Sequence, residues 1–179
     1  MDAEITDCIT LVIQRLGKER DVIDPQLDGK VVLVTGANHG IGAVIAKAFA
    51  AQSCRVFITY YRGACPYSEE ELQRARESSI GGDALYRARQ QQTAGAVVRH
   101  IRAQGGAVAA HEADLADADN VPRLFDLCEA NLGPVDILVN NHTFCVLETF
   151  DPALTTGRGS RIHLATAATI DAHFAVNAR

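Results

Sequence analysis

Residues 31–42 read Val31-Val32-Leu33-Val34-Thr35-Gly36-Ala37-Asn38-His39-Gly40-Ile41-Gly42, and this stretch decides the fold. Val31–Thr35 is β-branched or aliphatic almost throughout, the pattern of a parallel strand buried on both faces. It stops abruptly at Gly36, and Gly40 and Gly42 follow at a fixed offset. Apolar residues then return with helical period over roughly Gly40–Gln52, where Ile41, Val44, Ile45, Ala48 and Phe49 form the expected apolar face. Strand, glycine turn and helix in this order turn backbone N–H groups and a helix N-terminus toward an anion, as in a dinucleotide pyrophosphate cradle. Gly36 permits the sharp exit from the strand. Gly40 and Gly42 remove side chains where backbone approaches phosphate and where helix packs on sheet. The spacing G-x-x-x-G-x-G departs from G-x-G-x-x-G, which narrows the reading.

Outward from this turn, the chain alternates strands and helices. Val56–Tyr60 reads as a second strand, and Ala107–His111 as a short third one preceded by a helix through Val97, Val98 and Ile101. A helix over Val121–Ala130 contains Leu124, Phe125 and Leu127, and Gly133-Pro134 ends it before a fourth strand at Val135–Val139. Thr166–Ala178 has moderate helical character. Such alternation predicts right-handed crossovers and a parallel α/β sheet.

Two segments stand outside this pattern. Residues 1–28 read as an N-terminal extension in which Ile5, Ile9, Val12, Ile13 and Leu16 share one helical face, suited to docking on the domain or on a partner subunit. The dinucleotide-binding domain then runs over residues 29–179. Within it, residues 62–92 form an insertion rich in Glu, Arg and Gln, longer than a crossover needs. Ser68 with Glu69, Glu70 and Glu71 resembles a capped helix start, and Gly81-Gly82 its end. The insertion reads as a solvated helical excursion or as a lid beside the cofactor; nothing in it looks catalytic.

Bulk properties exclude several function classes. With 179 residues and 47% hydrophobic content the chain suits one soluble domain. A net charge of −5 at pH 7, no basic stripe and no Trp argue against nucleic acid and anionic membranes as partners. No apolar run reaches the length of a membrane span. The five cysteines form no C-x-x-C pair, which suits reduced thiols in the cytoplasm. The acidic N-terminus, with Asp2, Glu4 and Asp7, does not read as a secretory signal.

Four ordered motifs carry a family resemblance. Thr35–Gly42 resembles the T-G-x-x-x-G-I-G of short-chain dehydrogenases/reductases. Asp114-Leu115 resembles that family's aspartate beside the adenine ring. Asp136–Asn141 is similar to its fourth strand and the start of N-N-A-G, and Phe174-Ala175-Val176-Asn177 to the helix bearing its active-site asparagine. The resemblance implies a doubly wound α/β sheet of Rossmann type, here about four parallel strands in order 3-2-1-4, in which Gly36, Gly40, Ile41 and Gly42 cradle the cofactor, with Asn38 and His39 near the adenosine ribose. It also implies that Asp114 and Leu115 bind adenine, that Asn140 and Asn141 border the nicotinamide ribose, and that Asn177 is catalytic. An acid at the end of the second strand would select NAD. Here Thr59-Tyr60-Tyr61-Arg62 carries a cation and no acid, which places Tyr61 and Arg62 in the cofactor site and favours NADP.

Two departures limit the resemblance. His142 and Thr143 replace the small residues of N-N-A-G and suggest a shifted loop; His142 with Cys145 makes no metal site. The family's Y-x-x-x-K is absent, since the residues four after Tyr60, Tyr61, Tyr67 and Tyr86 are Ala64, Cys65, Glu71 and Gln90. Ser160, the last serine, precedes Asn177 and so falls in the wrong order for the catalytic serine. The expected function is the cofactor-binding half of an NAD(P)-dependent oxidoreductase acting on ketones, alcohols or 3-oxoacyl groups, inactive alone and shortened from a longer protein. A non-catalytic NADP-binding or sensing module, and an assembly partner using the open sheet edge, are the alternatives.

Overall fold

A computed structural model describes residues 24–78, 80–146, 148–152 and 162–178; the helix expected over residues 5–16 lies outside them. The strands are β1 (Val31–Thr35), β2 (Arg55–Tyr60), β3 (Val108–Glu112) and β4 (Ile137–Val139), with the two-residue β5 (Glu148–Thr149) and β6 (His163–Leu164). The helices are α1 (Gly40–Ala51), α2 (Glu69–Ser78), α3 (Asp83–Gln90), α4 (Gly95–Ala103), α5 (Asn120–Leu132) and α6 (Ala167–Asn177). The main sheet is parallel, as the alternation predicts, and has the expected Rossmann-type order β3-β2-β1-β4. β5 and β6, which nothing in the sequence announced, pair by themselves.

The period of two along β1 and β2 sorts the core into two layers. Val32, Val34, Val56 and Ile58 meet Ala43 and Ala46 of α1 and Val97 and Ile101 of α4 on one face. Val31, Leu33 and Phe57 meet Leu124 and Cys128 of α5 on the other. Every residue of β1 is buried, as its uninterrupted apolar run demands.

The apolar face expected for α1 is corrected in part, since Ile45 and Phe49 do pack against the core. Gly42, Ala43 and Ala46 are its buried residues, whereas Ile41 and Val44 are 74% and 65% exposed and Ala48 is exposed. Small residues face the sheet because the helix lies close to it. A Cβ on Gly42 would fall on the carbonyl oxygen of Gly36 and 2.9 Å from the Cα of Ala37.

Two further boundaries move for identifiable reasons. β4 is shorter than expected because Asp136 caps it: its carboxylate accepts from the Val31 N–H at 2.9 Å and pairs with Lys30 Nζ at 3.0 Å. The insertion holds two helices. α2 starts as expected, with the Glu71 N–H donating to Ser68 Oγ and the Ser68 N–H donating to Glu71 Oε2. Gly81-Gly82 then leads into α3, which packs against α2.

Candidate functional site

The site grows from the C-terminal end of β1, where ligands of open α/β sheets bind. Gly36 turns the chain at φ +65°, and a Cβ there would lie 2.9 Å from His142 Cα. Gly40 takes φ +57° with open space above it. His39, extended at φ −151°, opens α1 without a side-chain cap, and no acid stands in the first turn. The first N–H groups of α1 therefore keep their capacity to donate to an anion.

Thr35 and Asn141 lock this turn to the loop after β4. Thr35 Oγ1 donates to the Val139 carbonyl and accepts from the N–H groups of Asn141 and His142, both at 3.0 Å. The Asn141 amide donates to the carbonyls of Thr35 and Gly36, each at 3.0 Å. Asn141 is thus the tie between loops, while Asn140 is exposed.

A cavity of about 470 Å³ opens over the glycine turn. Gly36, Asn38, His39, Gly40, Ile41, Gly42, Tyr61 and Asn141 all line it, so most of the expected cofactor residues converge here. Its far wall is the insertion. Tyr86 of α3 meets the His39 ring edge to face at 5.7 Å. The buried Asn38 amide donates to the carbonyls of Gln90 at 3.0 Å and Gln92 at 2.8 Å. Sequence reasoning missed Tyr86, Arg89 and Gln90 as site residues; their spacing of three and four on a helix was the available signal.

The other expected residues line neighbouring spaces. Asp114 lies in a second cavity of about 290 Å³, which shares Tyr61, Tyr86 and His142 with the first. Its charge pushes the Tyr61 hydroxyl pKa up. Its Oδ1 accepts from the Ala116 N–H at 2.9 Å. Leu115, Asn140 and Asn177 line a third space of about 220 Å³ beside Leu138. There the Asn177 side chain clamps Phe144, accepting from its N–H at 2.9 Å and donating to its carbonyl at 3.0 Å. His142 stands where all three cavities meet, and burial lowers its pKa.

Arg62 departs from its expected place. Its guanidinium binds both carboxylate oxygens of Glu112, the closest at 2.8 Å, and it lines none of the three cavities. Residue 112, fifty positions later in the chain, captures the charge that the local sequence left free. Burial, and then the charge of Arg89, lower the pKa of His39, so the imidazole is neutral at neutral pH. Among the described residues no group of three or more His, Cys, Asp or Glu is placed to hold a metal ion. No described helix is long and apolar enough to cross a membrane.

With this geometry in view, the comparisons with known proteins are specific. A family model described as short chain dehydrogenase matches residues 75–179. The chain belongs to the short-chain dehydrogenase/reductase family. It is 36% identical over 115 residues to 3beta-hydroxysteroid dehydrogenase 1 of Eggerthella lenta, covering 64% of this chain and 34% of that protein. It is 35% identical over 118 residues to D-threitol dehydrogenase of Mycolicibacterium smegmatis, covering 66% of this chain and 35% of the relative. A short chain dehydrogenase from Burkholderia cenocepacia, solved in complex with NADP, superposes with a TM-score of 0.58 at 33% identity, covering 86% of this chain and 46% of that one. The chain spans about a third of the length of these two curated relatives.

Proposed function

We propose that this chain is the cofactor-binding part of an NADP-dependent short-chain oxidoreductase acting on ketones, alcohols or 3-oxoacyl groups, and that it is inactive alone. The observation that carries the reading is the cavity over Gly36–Gly42, floored by glycine backbone and the uncapped start of α1. When bound, the cofactor supplies or accepts the hydride; the residues here hold it. The N–H groups of Gly40, Ile41 and Gly42 bind the pyrophosphate, with Asn38, His39 and Tyr61 along the adenosine ribose. Asp114 accepts from the adenine amino group and the Leu115 N–H donates to the ring. Asn140 and Asn141 border the nicotinamide ribose, and Asn177 occupies the family's active-site asparagine position. Arg62 orders the loop after β2 through Glu112.

Preference for NADP follows from the end of β2, which carries no acid, while nearby Glu112 is already paired with Arg62. Cys54, Cys65, Cys128 and Cys145 are free thiols, which fits a reducing compartment such as the cytoplasm. Fluorescence titration of the full chain with NADPH should saturate, while absorbance shows no turnover of ketone substrates. The exposed apolar edge at Leu138 supports a second reading, an assembly partner. A flat titration by a folded chain would select that reading over the first.

A further inference from the structure

The cofactor cavity takes its positive charge from the insertion. Arg89 is the arginine on its wall, and neither an acid nor a lysine lines it. The sequence places Arg62 nearer to this role, but Glu112 holds that guanidinium in bidentate fashion. Of the insertion's other arginines, Arg87 pairs with Asp83 at 3.6 Å and lies over the Tyr86 ring. Arg76 pairs with Glu69. Arg89 has no acidic partner among the described ion pairs.

The mounting of Arg89 is firm. Tyr86, Arg89 and Gln90 share one face of α3 by the helical spacing of three and four. That face is pinned to the glycine turn by Asn38, whose amide donates to the Gln90 and Gln92 carbonyls, and by the contact of Tyr86 with His39. Arg89 lines the same cavity as His39, the residue that opens α1. A planar guanidinium with several donors in a partly enclosed pocket suits a phosphate monoester.

We infer that Arg89, carried by the insertion helix α3, reads the ribose 2′-phosphate of the cofactor, so that the insertion itself sets NADP over NAD. The inference rests on the dinucleotide reading above, and its test separates the two. Affinities of the full chain for NADPH and for NADH are measured by calorimetry for the wild type, Arg89→Gln, Arg89→Lys and Arg62→Gln. Arg89 is exposed, so its variants should fold, checked by their melting temperatures. Loss of one charge-assisted contact should weaken NADPH binding by about 10- to 100-fold in Arg89→Gln. NADH binding should change by less than about 3-fold, since it lacks the phosphate. Arg89→Lys should recover part of the loss, and Arg62→Gln should leave the NADPH-to-NADH ratio unchanged. Equal losses for both cofactors in Arg89→Gln would overturn the inference, because the pyrophosphate is common to both. So would a ratio that responds to Arg62 and not to Arg89. A wild-type chain that binds neither cofactor contradicts the dinucleotide reading itself, and the inference falls with it.

Discussion

Leu33 and Leu138 stand opposite each other in register across β1 and β4, yet the first is 1% exposed and the second 47%. The contrast extends to their surroundings. Around Leu33, β1 and β2 are covered on both faces by α1, α4 and α5, and the glycine turn is locked to the next loop through Thr35 and Asn141. Around Leu138, the described residues form an open apolar edge. α6 buries none of its residues, and Phe174 and Ile170 are 65% and 42% exposed. One half is packed by its own residues; the other presents a surface that needs cover. The glycine turn Gly36–Gly42 sits in the first half, while Asn177, with Leu115 and Asn140, lines the space beside Leu138 in the second.

The largest expected effect tests the paired leucines. Leu33→Ala should cost about 2–5 kcal/mol in urea unfolding, the range for emptying a fully packed site. The same truncation at Leu138 should stay within about 0.5 kcal/mol, as at other exposed positions. Equal costs would erase the comparison. Next in size, Asn141→Leu strips donors from the Thr35 and Gly36 carbonyls and should cost about 1–3 kcal/mol. NADPH affinity should fall with it; unchanged binding in that variant would detach the loop tie from the cofactor site.

The smallest effect is the response to acid of the loop after β2. Hydrogen bonds from Arg62 hold the Glu112 carboxyl below its ordinary value of 4.5. The folded chain therefore binds that proton less readily than the unfolded chain does. The stabilising contribution is complete above the ordinary value and is lost as pH falls through the lowered folded value. Urea midpoints should decline over that acid window, and Glu112→Gln should remove this part of the slope. A slope identical in the variant would show that the pair contributes nothing.

The packed half was the more legible in sequence, for a physical reason. An uninterrupted apolar run ending in three spaced glycines leaves few backbones that satisfy it, so β1 and the turn followed. Signals that depend on distant partners did not follow. Glu112 captures Arg62, and Asp136 uses its carboxylate on Val31 and Lys30, shortening β4. α1 buries Gly42, Ala43 and Ala46 fully and leaves Ile41 and Val44 exposed, because close approach to the sheet favours small residues. α3 escaped notice because its one buried residue is Ala88, in a helix of otherwise polar character starting from Gly82 without a side-chain cap. Yet α3 supplies the far wall of the cavity. The insertion that offered no catalytic residue is the part of the site that sequence pattern revealed least.

Hydrogen–deuterium exchange of the full chain with and without saturating NADPH tests the central claim most directly. The account predicts slowed exchange in peptides covering residues 36–42 and 81–92, with residues 137–139 unchanged. Protection confined to residues 137–139, or no protection at residues 36–42, would contradict it.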